Sequence, residues 1–251
     1  MLTGSERRRL RPLAAALRRA AEPGPPRLEL VAGELGGARR GGLLAGSFNP
    51  FTRAHAALAL AGRRAGRERV VLAMAPASLD KEAVERAHPL DRLAWTVAWA
   101  TGRSWAAVAV SSSALLVDMA EALVARGLEV TLLVGADKAA QLVDPRYYPD
   151  PEAAVDRLAR AATVLIAPRA EHVVPALPLR TGVLATPPWA PSRSATAARA
   201  QAARGGDLSA LVPAAVAAAV TRTRAYDPDP EPYRRRATAL SALVASASMS
   251  P

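Results

Sequence analysis

Thr52 and His55 stand three residues apart at the start of an alanine-rich stretch, 54–65, of strong helix propensity. An apolar run, Leu43-Leu44-Ala45, comes before them, followed by the small and turn-forming residues Gly46-Ser47-Phe48-Asn49-Pro50. That order reads as a strand, a tight loop and a helix start. At such a junction unpaired backbone N–H groups and the positive end of the helix dipole face the mouth of a sheet, where an anion such as a triphosphate can be held. A hydroxyl and an imidazole on one helical turn can point at the same place. Directed at a phosphate, they suit nucleotidyl transfer, which needs charge stabilisation and positioning more than a protein nucleophile. A second polar cluster lies far downstream. Ser194 can cap a helix, Thr196 falls in its first turn and Arg199 lies one turn further along the same side, so that hydroxyls, N–H groups and a guanidinium are offered to phosphate oxygens. The plainer alternatives are the polar first loop of any doubly wound protein and a capped surface helix with a solvated arginine.

From residue 42 onward, apolar runs of strand length at 43–45, 70–75, 106–110, 130–134, 163–167 and 182–185 alternate with helical segments at 54–65, 89–100, 114–126, 136–142 and 151–160. This is the pattern of a parallel sheet with helices on both faces. The expected fold is therefore α/β, a Rossmann-like doubly wound parallel sheet of about five to six strands with a helical C-terminal part. Ligands in such sheets gather beyond the carboxyl ends of the strands. The residues that follow the first four strands are indeed polar: Ser47 to His55, then Ser78, Asp80 and Lys81, then Ser111-Ser112-Ser113, then Asp137 and Lys138 after Gly135. Any one of these sets could be an ordinary loop or cap, with Ser113 and Asp137 as helix N-terminal residues. Outside the central domain, 41–222, residues 1–40 form an extension: a basic helix at 5–21 with Leu10, Leu13 and Leu17 on one face, a strand candidate at 28–32 and a glycine-rich run. Residues 223–251 read as a tail, because Asp227-Pro228-Asp229-Pro230-Glu231-Pro232 breaks any helix and 237–251, rich in Ala and Ser, looks disordered or loosely docked.

The loop and helix start resemble the signature of the cytidylyltransferase-like nucleotidyltransferase superfamily, His/Thr-x-Gly-His after Gly-Ser/Thr-Phe-Asp/Asn-Pro. Here Thr52 takes the first place, Ala54 replaces the glycine and His55 is kept. Gly135-Ala136-Asp137-Lys138 with Asp144-Pro145-Arg146-Tyr147-Tyr148 is similar to a segment of nicotinate- and nicotinamide-mononucleotide-adenylyltransferase-like proteins, and Lys81 sits where that group often has lysine. Ser194-Ala195-Thr196-Ala197-Ala198-Arg199 resembles the second signature, Ser-Ser/Thr-x-x-Arg, and Leu211-Val212-Pro213 the closing stretch. The resemblance implies transfer of AMP from ATP to a phosphorylated acceptor, nicotinate or nicotinamide mononucleotide, with release of pyrophosphate. It places Thr52, His55 and Arg199 in catalysis, and Gly46, Ser47, Phe48, Gly135, Asp137, Ser194 and Thr196 around ATP. Lys81, Ser113, Tyr147 and Tyr148 fall to the acceptor, with Trp105 and Trp189 as further stacking candidates and burial in the core as their alternative. It also implies Mg2+ held mostly by substrate and water, since no carboxylate cluster marks a metal site. Thr52 leaves phosphopantetheine adenylylation open, and a cytidylyltransferase less so. Thr52, Ala54 and Ala195 together motivate a reading of another class, a non-catalytic nucleotide-binding homologue.

Composition narrows the classes further. The chain has 251 residues, 51% of them hydrophobic but only 4% aromatic, and 33 Lys+Arg against 22 Asp+Glu give a formal charge of +11. That surplus suits an enzyme gathering phosphorylated substrates. The arginines are scattered among alanines and prolines without aromatic interleaving, so a nucleic-acid partner is not expected. Without cysteine and with three widely spaced histidines, a structural zinc site is not expected either. No apolar run approaches the roughly twenty residues of a membrane span, and the basic N-terminus lacks the apolar region of a secretory signal. A cytoplasmic protein without a membrane partner is expected, and homo-oligomerisation stays open.

Overall fold

The structure, a computed structural model, describes residues 2–75, 87–144, 150–168 and 177–247. Five buried parallel strands form the centre: β2 (Arg40–Ala45), β3 (Arg69–Met74), β4 (Ala106–Ser111), β5 (Glu129–Gly135) and β6 (Ala162–Ala167). Each is a run of small and branched apolar residues, as a sheet covered on both faces requires. Successive side chains alternate between two cores. Leu44, Val70, Leu72, Met74 and Val108 point into one, and Leu43, Val71, Ala73, Ala107 and Leu132 into the other.

Two edge strands complete a seven-stranded sheet among the described residues, in the order β1-β4-β3-β2-β5-β6-β7. The short β7 (Thr181–Val183) adds in parallel to β6, whereas β1 (Leu28–Ala32) pairs antiparallel with β4. The N-terminal extension thus contributes a strand to the same sheet, which raises the count above the expected six. Leaving β1 aside, the order is that of a doubly wound fold, and it reverses between β2 and β5. Ligands bind at that reversal, where the loops leaving adjacent strands turn in opposite directions and open a crevice.

On the first face lie α1 (Gly4–Ala21), α2 (Arg53–Arg64), α3 (Pro89–Ala100) and α8 (Ala214–Thr223). On the second lie α4 (Leu116–Val124), the short α5 (Ala136–Ala140) and α6 (Pro151–Ala161). Local chemistry sets several starts: Thr3 and Glu6 form a capping box for α1, and His88 and Asp150 cap α3 and α6 with proline at the first helical position. A further helix, α7 (Ala195–Ala203), begins at Ser194.

The C-terminal region differs from expectation. A 16-residue helix, α9 (Glu231–Ser246), starts inside the proline-rich stretch with Pro232 in its first turn, packs on α1 and buries Tyr233, Leu240 and Leu243 in the first core. Arg18 on α1 donates to the carbonyls of Ala245 and Ala247, both at 2.8 Å, and fixes its end. Among the described residues no helix is long and apolar enough to cross a membrane.

Candidate functional site

The loop between β2 and α2 carries the first polar cluster, and residues far along the chain hold it. Arg92, 3% exposed on α3, donates to the Ser47 carbonyl at 2.7 Å. Arg199 on α7 donates to the Asn49 carbonyl at 2.8 Å. The Asn49 side-chain oxygen accepts from the Tyr226 hydroxyl at 2.8 Å and from the Ala87 N–H at 3.1 Å. With its carbonyls turned toward these donors, the loop is anchored from beneath. The Phe48 backbone adopts φ of 46°, and its ring tucks back so closely that a Cβ on Gly46 would lie 2.9 Å from it. Glycine at 46 is what lets the ring enter the core.

Thr52 is the N-cap of α2 and fully buried. Its hydroxyl accepts from the His55 N–H at 3.3 Å, while His55 Nδ1 accepts from the Thr52 N–H at 2.9 Å and lies 3.0 Å from the Thr52 hydroxyl. This is a capping box with imidazole in the place of glutamate. Because Nδ1 is an acceptor here, the proton of the neutral ring sits on Nε2. The ring meets Phe48 edge-on at 5.2 Å between centroids and Phe51 at 5.4 Å. Burial holds its pKa down at about 4, against a weaker opposing pull from Asp137. The imidazole is thus an uncharged donor at neutral pH. Loss of the cap hydroxyl in Thr52→Ala is expected to cost about 1–2 kcal/mol in urea unfolding, with Thr52→Ser close to wild type. Unchanged stability with slowed turnover would instead assign that hydroxyl to substrate.

A cleft of about 350 Å³ opens at the reversal point between β2 and β5. Gly46, Ser47, Thr52 and His55 line one side, and Gly135, Asp137 and Lys138 line a second, at the end of β5 and the start of α5. Arg193, Ser194 and Ala195, leading into α7, close the third. Ser194 caps α7 by accepting from the Ala197 N–H at 3.1 Å. The early polar cluster and Ser194, the first residue of the late one, therefore share one cavity, of a size that holds a small ligand.

Other candidates lie elsewhere. Phe48 has its ring in the core. Arg199 and Thr196 are not among the lining residues: Arg199 turns to the Asn49 carbonyl and donates at 3.2 Å to the Thr196 hydroxyl. Ser113 follows β4, two strands from β2, and donates to Asp118 at 2.5 Å. Trp105 packs edge-on against Trp99, whereas Trp189 is exposed beside the cleft residue Ala190. Lys81, Tyr147 and Tyr148 lie outside the described residues. Arg193 was not singled out by sequence. Its signal is its place immediately before Ser194, the N-cap of α7. Among the described residues no three metal-ligating side chains converge.

No protein-family model matches the chain, and no curated protein matches it in sequence. Solved structures do match its fold. The Plasmodium falciparum nicotinic acid mononucleotide adenylyltransferase, in a complex with NaAD, superposes with a TM-score of 0.55 at 12% identity over 75% of this chain and 97% of that one. The same enzyme complexed with APC gives 0.53 at 11% identity over 75% and 97%. A protein from Vibrio parahaemolyticus assigned as a nicotinate-nucleotide adenylyltransferase gives 0.50 at 14% identity over 75% and 95%. The chain has the fold of these proteins.

Proposed function

We propose that the chain is a nucleotidyltransferase that moves AMP from ATP to a phosphorylated acceptor, nicotinate or nicotinamide mononucleotide, as a step toward a pyridine dinucleotide. One observation carries the reading: a neutral imidazole, fixed in its Nε2–H form by the Thr52 N–H, stands in a cleft at the sheet's reversal point. The fold shared with nicotinic acid mononucleotide adenylyltransferases supports the acceptor class.

In the proposed step an acceptor phosphate oxygen bonds to the α-phosphorus while the bond from that phosphorus to the α–β bridging oxygen breaks, releasing pyrophosphate. The acceptor phosphate is already ionised, so no general base is needed. His55 Nε2–H donates toward the bridging region, where negative charge develops. The start of α7 with Ser194 faces the departing phosphates, and Gly135 and Asp137 face the nucleoside. Magnesium belongs to the proposal as a companion of the nucleotide, neutralising phosphate charge when bound. Asp137 is the single carboxylate lining the cleft among the described residues, which suits an ion held chiefly by phosphate and water.

Pyrophosphate release from ATP tests this, with nicotinate mononucleotide, nicotinamide mononucleotide, phosphopantetheine or no acceptor. Release that depends on a pyridine mononucleotide is expected. Release with phosphopantetheine alone would move the acceptor class, and ATP binding without release for any acceptor would leave a non-catalytic nucleotide-binding protein.

A further inference from the structure

Resting on that reading of the cleft, we infer that Arg193 is the guanidinium that meets the triphosphate, and that Arg199 acts on it only through the loop. The two arginines stand six residues apart around the start of α7 and have different surroundings. Arg199 has both terminal nitrogens engaged, Nη1 with the Asn49 carbonyl at 2.8 Å and Nη2 with Thr196 at 3.2 Å, and it does not line the cleft. Arg193 lines the cleft beside Ser194 and is half-buried. Its side chain makes no hydrogen bond or ion pair with any described residue.

Charge balance points the same way. His55 is neutral, so the cleft's donor imidazole brings no cation to a polyphosphate. Among the described residues, Lys138 on the α5 side and Arg193 on the α7 side are the cationic ones lining it. A guanidinium fork matches two phosphate oxygens at once, which a lysine ammonium does not. Bidentate contact by Arg193 would stabilise the β- and γ-phosphates as the bond to the α-phosphorus breaks, with no proton leaving the guanidinium. Arg199 is a positioning residue. Its removal leaves the Asn49 carbonyl without that donor and loosens the loop that carries Ser47 and leads into α2 and His55.

The test measures binding of AMP, ADP, ATP and inorganic tripolyphosphate to the full chain, Arg193→Gln, Arg199→Gln and Arg199→Lys, with their thermal stabilities. In wild type, affinity should rise from AMP to ATP. Arg193→Gln should weaken ATP and tripolyphosphate about 10- to 100-fold, the range for a charged hydrogen-bond pair, and leave AMP and stability unchanged. Arg199→Gln should weaken AMP and ATP by the same factor and lower stability, with Arg199→Lys recovering both in part. An unchanged phosphate series in Arg193→Gln, or a flattened one in Arg199→Gln, overturns the assignment. If wild type shows the Arg193-dependent series but releases no pyrophosphate with any acceptor, the transfer reading fails and the assignment stands. If wild type transfers AMP and Arg193→Gln does so with unchanged KM for ATP, the assignment fails and the transfer reading stands. A wild-type chain that binds no polyphosphate overturns both.

Discussion

His55→Ala is expected to lower the rate of pyrophosphate release at saturating substrates by about 100-fold or more, the usual effect of removing one fixed donor from a site where charge develops. In the proposed step the ring acts as that donor and not in proton transfer. Its Nδ1 is occupied by the Thr52 N–H at 2.9 Å, and burial keeps it neutral, so Nε2–H is what it offers the cleft. A donor of this kind adds no inflection of its own near 6.5, so any step at about pH 6, where a phosphate monoester takes up its second proton, should persist in His55→Asn. Such an inflection, abolished in His55→Asn, would show that the ring titrates and is exchanging a proton.

Stability follows from the same shift. Above pH 6.5 the ring is neutral folded and unfolded. Below it the unfolded chain takes up a proton that the native one refuses until pH falls to about 4. Stability is therefore complete above 6.5 and lost as pH falls from 6.5 to about 4, by about 1–3 kcal/mol after allowing for the face of the ring open to the cleft. His55→Ala should lack this acid limb in urea titrations across that window. It also loses the acceptor for the Thr52 N–H, so its rate has to be compared at a pH and temperature where the variant is fully folded.

Much of this architecture could be read in the residues because parallel strands covered on both faces are continuous apolar runs, and those at 70–75 or 106–110 have few other uses. The loop at 46–52 was legible for a similar reason, since its turn-forming residues lie directly between strand and helix. The docking of α9 was not. Its buried residues Tyr233, Leu240 and Leu243 are widely spaced among alanines and arginines, and much of what holds it is polar and distant in sequence. Tyr233 reaches Asp91, 142 positions away, and Arg236 reaches Glu6 across 230. The division of labour between Arg193 and Arg199 was hidden likewise, because the Asn49 carbonyl that engages Arg199 lies 150 residues upstream. Local pattern reports what a residue can do, and the fold decides which partner reaches it first.

Asp91→Ala is expected to destabilise the protein by about 3–5 kcal/mol, the cost of breaking a buried ion pair by removing one partner, or roughly 6–20 °C in Tm for a chain of this size. Asp91 is 1% exposed and accepts from Arg236 Nη2 at 2.8 Å, from Arg236 Nε at 2.9 Å and from the Tyr233 hydroxyl at 3.0 Å. Alanine would leave both donors of the fork and a phenol facing a cavity. Glu6 remains on Arg236 at 3.2 Å but engages the third nitrogen, so it cannot replace the lost carboxylate. Asp91→Leu combined with Arg236→Met should recover most of the loss, because the pair contributes through mutual compensation more than through net stabilisation. A loss below about 1 kcal/mol in the single variant would mean that apolar burial of Leu240 and Leu243, with the Arg18 and Glu6 contacts, holds α9 without Asp91. The consequence extends to the cleft, since the residue after Asp91 is Arg92, which holds the Ser47 carbonyl. The single variant should therefore weaken ATP binding beyond what its stability explains, and the double variant should restore it, if α3 transmits the grip of the C-terminal helix to the loop.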